Sequence, residues 1–62
     1  MNCKMKIVYD KVADALYIEF SNEEIYESKE ISEGIIVDYN KEGNIVGMEI
    51  LNLSKIKINL SK

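Results

Sequence analysis

The sequence predicts a mainly β fold: an antiparallel meander of four to five strands, finished by a short C-terminal helix or an extra strand. Three observations predict it. Apolar residues recur with a period of two, the pattern of a strand with one face on a core and one toward water. Ten isoleucines and four valines supply the β-branched bulk that suits strands. Short clusters of Asp, Asn, Ser and Gly break the runs every ~8–12 residues, the spacing of hairpins.

The first strand is read from Cys3, Met5, Ile7 and Tyr9, which alternate with Lys4, Lys6 and Val8. Asp10 and Asp14 bracket the next bend, where aspartates accept backbone N–H groups and set a turn. The second strand places Leu16, Ile18 and Phe20 on one side and Ala15, Tyr17 and Glu19 on the other. After Ser21-Asn22, residues 24–31 form a polar strand suited to an edge. Ser32-Glu33-Gly34 leads into a fourth strand, with Ile35, Val37 and Tyr39 alternating with Ile36, Asp38 and Asn40. In the loop 40–44, Gly43 or Asn44 can take positive φ at little cost. The fifth strand carries Val46, Met48 and Ile50 opposite Ile45, Gly47 and Glu49. The ending LNLSKIKINLSK fits two periods. Leu53, Ile56 and Leu60 make a helical face that Ser54 could cap, while Ile56, Ile58 and Leu60 fit a strand. A single sheet needs something over its apolar face, and this segment is the candidate cover.

Sixty-two residues form one domain, spanning 1–62. A chain of this size buries only about 60% of its unfolded surface. Typical per-residue values give about 3–9 kcal/mol of net stability. Such chains usually need a staple. Cys3 is the lone cysteine and histidine is absent, so an intrachain disulfide and a zinc cage are both excluded. Self-association remains, and a homodimer through apolar faces or edges is expected. One unpaired cysteine suits a reducing compartment. No signal-like apolar run and no membrane-length segment occurs, so the expected location is the cytoplasm.

The net charge is −3, unevenly spread. Positions 19 to 33 hold six glutamates and one lysine, a local balance of −5. All eight basic residues are lysine. Arginine is the usual tool for phosphate and base recognition, so direct nucleic-acid binding is not expected. The glutamate run reads as a solvated strand face or as a surface that attracts a basic partner.

Chemistry finds little footing. Asp10, Asp14 and Asp38 could hold a divalent cation if brought together, but their spacing matches no EF-hand loop and turn-setting explains the first two. Glu19 and Glu49 could face each other as a carboxylate pair, or simply line the wet side of a sheet. Cys3 reads as a small buried hydrophobe. Tyr9 and Tyr39 fall on the inner face as core aromatics, and Tyr17 and Tyr26 on the other register, where exposed aromatics can mark a binding surface but cross-strand packing is the commoner explanation. Gly34, Gly43 and Gly47 stand alone and form no phosphate loop. No catalytic, cofactor-binding or metal-binding residue is therefore assigned, and no enzyme is expected.

YDKVADALYIEF at 9–20 and EGIIVDYNKEGNIVGMEILNLSK at 33–55 carry a resemblance. The Tyr-Asp, the following Asp-Ala-x-Tyr-Ile, the Gly-Ile-Ile-Val-Asp-Tyr run and the Gly-x-Ile-Val-Gly-x-Glu-Ile-Leu-Asn-x-Ser ending resemble the domain-of-unknown-function 2283 family of short prokaryotic proteins. Met48 stands where isoleucine is usual in that pattern and Leu53 where alanine is usual. The resemblance carries over no catalytic residues. It implies one half of a two-gene module, an antitoxin-like partner of a compact, ribonuclease-like toxin. The alternatives are a structural or accessory protein with an unrelated partner, or a small carboxylate-based metal binder.

Overall fold

A computed structural model of the chain describes residues 5–56. Within them the alternating runs form five strands: β1 Lys6–Asp10, β2 Ala15–Glu19, β3 Glu27–Ser32, β4 Ile35–Tyr39 and β5 Ile45–Ile50. All pair antiparallel in one sheet, as the pattern predicts. The spatial order is β1-β2-β5-β4-β3. The last three strands are a meander, and the first hairpin docks through β2 on the free side of β5.

The connection 20–26 explains this order. The Phe20 and Ser21 N–H groups both donate to the Val46 carbonyl, at 2.9 and 3.2 Å, and the Tyr26 N–H donates to the Tyr39 carbonyl at 2.7 Å. The chain thus runs along one end of the sheet to reach the far edge. Residues 24–26, expected in a strand, belong to this crossing, so β3 begins at Glu27.

The turns follow their side chains. Asp10 Oδ1 accepts from the Val12 and Ala13 N–H groups, at 3.0 and 3.2 Å, and bends the first hairpin. Gly43 takes φ 87°, as its loop requires. Asn40 Oδ1 organises that loop by accepting from the N–H groups of Glu42 and Asn44.

Register sorts the side chains into rows. Ile7, Ile18, Met48 and Val37 stand opposite one another across β1, β2, β5 and β4. Tyr9, Leu16, Ile50 and Ile35 form a second row on the same face. The other face carries Lys6, Glu19, Gly47, Asp38 and Ser28, a polar row through all five strands. Val46 is the extra residue of a bulge opposite Asp38 and Tyr39, so strict alternation ends there.

The apolar face is not closed by the described residues. Among the described residues only Ala15, Val37 and Val46 are buried hydrophobics. Ile7 is 60% exposed and Tyr9 48% exposed. Tyr9 is therefore not a core aromatic: it lies on an edge strand, and its ring is left half open. Of the segment expected as a cover, residues 51–56 are described. Leu53–Lys55 make one turn of 3-10 helix, with Asn52 in the left-handed conformation at its N-cap and Ile56 extended after it. Ser54 lies inside the turn and does not cap it. The choice between helix and strand for residues 57–62, and the expected burial of Cys3, fall outside the described residues. No helix among the described residues is long and apolar enough to cross a membrane.

Candidate functional site

The polar row brings several chemically capable side chains together. Its floor is Gly47, in the middle of β5. Tyr17 projects from β2, and its ring crosses β5 over Gly47. A Cβ at position 47 would collide with Tyr17 Oη, come within 3.0 Å of Tyr17 Cζ and within 3.2 Å of Asp38 Oδ2. Glycine is thus required by a close approach, not by backbone conformation. Tyr17 Oη donates to Asp38 Oδ2 at 3.1 Å, and Ser28 Oγ donates to Asp38 Oδ1 at 2.6 Å. Asp38 is buried, and this pair of donors links β2, β4 and β3 through it. Every buried side-chain polar atom among the described residues has a hydrogen-bond partner.

The surroundings are acidic. Burial first, then the hydrogen bond to Asp38, pushes the Tyr17 phenol above its ordinary pKa, and the charges of Asp38, Glu19 and Glu49 add to the shift. Glu19 and Glu49 share the face but do not oppose each other: Glu49 pairs with Tyr17 and Glu19 with Gly47. The carboxylate pair considered from sequence is a diagonal one with a tyrosine between. Tyr17, Glu19, Ser21, Glu23 and Ile25 line an open cleft of about 230 Å³. Asn40 Nδ2 donates to Glu23 Oε1 at 2.5 Å, which ties the crossing segment to the far loop.

A second cluster sits at the bend of the first hairpin. Asp14, at φ 55°, accepts from Tyr9 Oη at 2.9 Å, from Ser54 Oγ at 2.7 Å and from the Ser54 N–H at 3.1 Å. Its carbonyl accepts from the Leu53 N–H at 2.9 Å. Asp14 therefore serves as the cap that Asn52 does not provide, supplied from 40 residues away. The hydrogen bond from Ser54 is the chief force holding its carboxyl below the usual range; the bonds from Tyr9 and the Ser54 amide and the charge of Lys55 act in the same direction, against desolvation.

The three aspartates weighed as a cation site are thus divided among a turn, a cap and a sheet interior. Among the described residues no three Asp, Glu, Cys or His side chains gather in a metal-binding group. Sequence reasoning missed two things: the bond from Tyr17 to Asp38 over Gly47, and the tie between Asp14 and Ser54. The first had a signal, a glycine inside a strand whose neighbour carries a tyrosine. The second had none, because its partners lie far apart in the chain.

Residues 6–54 match the model of a family described as "Protein of unknown function (DUF2283)". The chain belongs to this family. No curated protein and no solved structure matches it. Asp14, Tyr17, Asp38, Gly47 and Ser54 all lie within the matched span, and each has a structural task.

Proposed function

We propose that the chain is a small protein-interaction module that acts by contact and has no reaction of its own. One observation carries this reading: two apolar rows run across four strands and are left partly open. The described residues bury three hydrophobic side chains, while Ile7 and Tyr9 at the end of the rows stay about half exposed or more. Contiguous open apolar surface of this kind favours a partner. The opposite face supports a basic one. Glu19 and Glu23 line its cleft together with Tyr17, a setting that suits a lysine or arginine side chain. The module then fits an antitoxin-like role, with the partner a basic, ribonuclease-like toxin.

Co-expression with the product of the adjacent gene tests this. The expected result is a stable complex and relief of growth arrest. Ile18→Lys, at the centre of an apolar row, should abolish the complex while the circular dichroism of the sheet is kept. Glu19→Lys with Glu23→Lys should weaken it and flatten its salt dependence. Absence of any complex ends the antitoxin-like reading. An accessory role with an unrelated partner rests on the apolar rows alone; the acidic cleft is what favours the basic partner.

A further inference from the structure

The sheet has two edges of opposite character. β3, at one end, reads Glu-Ser-Lys-Glu-Ile-Ser, with a register irregularity between Glu30 and Ser32. Charge and a bulge are the usual protections of an edge against pairing with another chain. β1, at the other end, reads Lys-Ile-Val-Tyr-Asp, pairs with β2 without a bulge, and is exposed along its whole length. Its three central residues are all apolar or aromatic, and Val8 is 47% exposed. Among the described residues only β2 pairs with it, so its outer row of N–H and C=O groups has no ladder partner there.

The sequence of β1 is complementary to itself when reversed. We propose that two copies of the chain pair antiparallel along β1, with Val8 of one copy opposite Val8 of the other. A twofold axis at Val8 then places Lys6 opposite Asp10 of the second copy, twice, and Ile7 opposite Tyr9 of the second copy, twice. Opposite charges and β-branched–aromatic neighbours are both favourable cross-strand pairs. Lys6 has no ion-pair partner among the described residues, although Glu19 stands opposite it on β2. The faces also agree. Lys6, Val8 and Asp10 share the polar face, and Ile7 and Tyr9 share the apolar one. Moving the axis to Ile7 sets Lys6 against Val8, and moving it to Tyr9 sets Val8 against Asp10, so both neighbouring registers lose the match. The result is one ten-stranded sheet whose two apolar faces lie on the same side. The contact is isologous, as closed homodimers require. It stands independently of the partner proposed for the apolar rows.

Five residues of edge make a small interface, so dimerisation belongs at high protein concentration. Light scattering behind size exclusion should give a mass near twice 7.1 kDa at hundreds of micromolar, falling toward 7.1 kDa on dilution. Val8→Lys brings two ammonium groups together at the axis and should raise the dissociation constant at least about ten-fold. Val8 is exposed in the single copy, so this variant should keep its sheet spectrum. Crosslinking fixes the register and needs no unfolding control. On a Cys3→Ser background, Val8→Cys should form a disulfide dimer rapidly under mild oxidation, because residues facing each other across a ladder lie within disulfide reach. Ile7→Cys should do so far more slowly. A monomer at every concentration overturns the proposal, as does faster crosslinking at Ile7. A dimer that survives Val8→Lys but is lost in Ile18→Lys also overturns it and assigns the contact to the apolar faces.

Discussion

Asp38 and Asp14 do the same chemistry in two different places. Each carboxylate accepts a tyrosine hydroxyl and a serine hydroxyl: Tyr17 and Ser28 for Asp38, Tyr9 and Ser54 for Asp14. Asp38 is 7% exposed and sits mid-sheet, where its partners come from the strands on either side of β4 and β5. Asp14 is only half-buried, at a hairpin bend, and its partners are an edge strand and the start of the C-terminal turn. The difference separates two uses of a polar contact. A buried acceptor must be satisfied, because water cannot replace a lost partner. One that water still reaches can exchange its partners for water, so it positions a segment more than it stabilises the whole. Substitutions around Asp38 should therefore act on global stability, and those around Asp14 on local order.

The largest effect is expected at Gly47→Val. The new side chain meets Tyr17 and Asp38 together, combining overpacking with loss of their bond, for about 2–4 kcal/mol. Against a typical stability of about 3–9 kcal/mol for a chain this size, urea unfolding should show a large drop in midpoint. Asp38→Ala should follow at about 1–3 kcal/mol, since it leaves the Tyr17 and Ser28 hydroxyls without their acceptor. Tyr17→Phe should lose about 1 kcal/mol, because Asp38 keeps the Ser28 bond. If Asp38→Ala left the urea midpoint unmoved, the central position of Asp38 would carry no special weight and the contrast with Asp14 would collapse.

Much of the sheet could be read from the chain because strand periodicity is a local property. The two apolar rows needed only alternate residues at Ile7 and Tyr9, Leu16 and Ile18, Ile35 and Val37, Met48 and Ile50. Strand order is a different matter. Nothing between Phe20 and Tyr26 reveals that the chain crosses an end of the sheet; that depends on the carbonyls of Val46 and Tyr39. Burial was also out of reach. Tyr9 has the right parity for a core residue, but parity cannot show that its strand lies at an edge. From sequence, Asp10 and Asp14 read as turn setters and all three aspartates as conceivable cation ligands. For Asp14 and Asp38, only the hydroxyl partners brought by the fold show that the charge is engaged in structure.

Alkaline titration sharpens the comparison through the two tyrosines. Both phenols are raised above the ordinary value, Tyr17 first by burial and Tyr9 first by its hydrogen bond to Asp14. A phenol whose pKa is higher in the folded state contributes stability below its unfolded pKa of about 10 and loses it as pH climbs through the folded value. The urea midpoint should therefore fall above pH ~10, and Tyr17→Phe should flatten that fall. Tyr9→Phe is expected to change it less, because Tyr9 is open to solvent and its hydrogen bond competes with water.

The smallest effect is local and lies at acid pH. Asp14 is lowered chiefly by the hydrogen bond from Ser54, so its contribution is present above the unfolded aspartate pKa of about 3.9 and fades as pH falls through the lowered folded value. The amide of Ser54, which donates to the Asp14 carboxylate, should report this directly. Its proton resonance should shift with a midpoint below the ordinary carboxylate range, while strand amides such as that of Val37 stay fixed. Asp14→Ala should speed hydrogen exchange at Ser54 and leave Val37 protected. Ser54→Ala, which keeps the amide but removes the hydroxyl, should move the midpoint back toward the ordinary range. Equal acceleration at Ser54 and Val37 would instead make the Asp14 contact part of the global fold, because a tie that only positions the turn has no route to the exchange of a residue at the centre of β4.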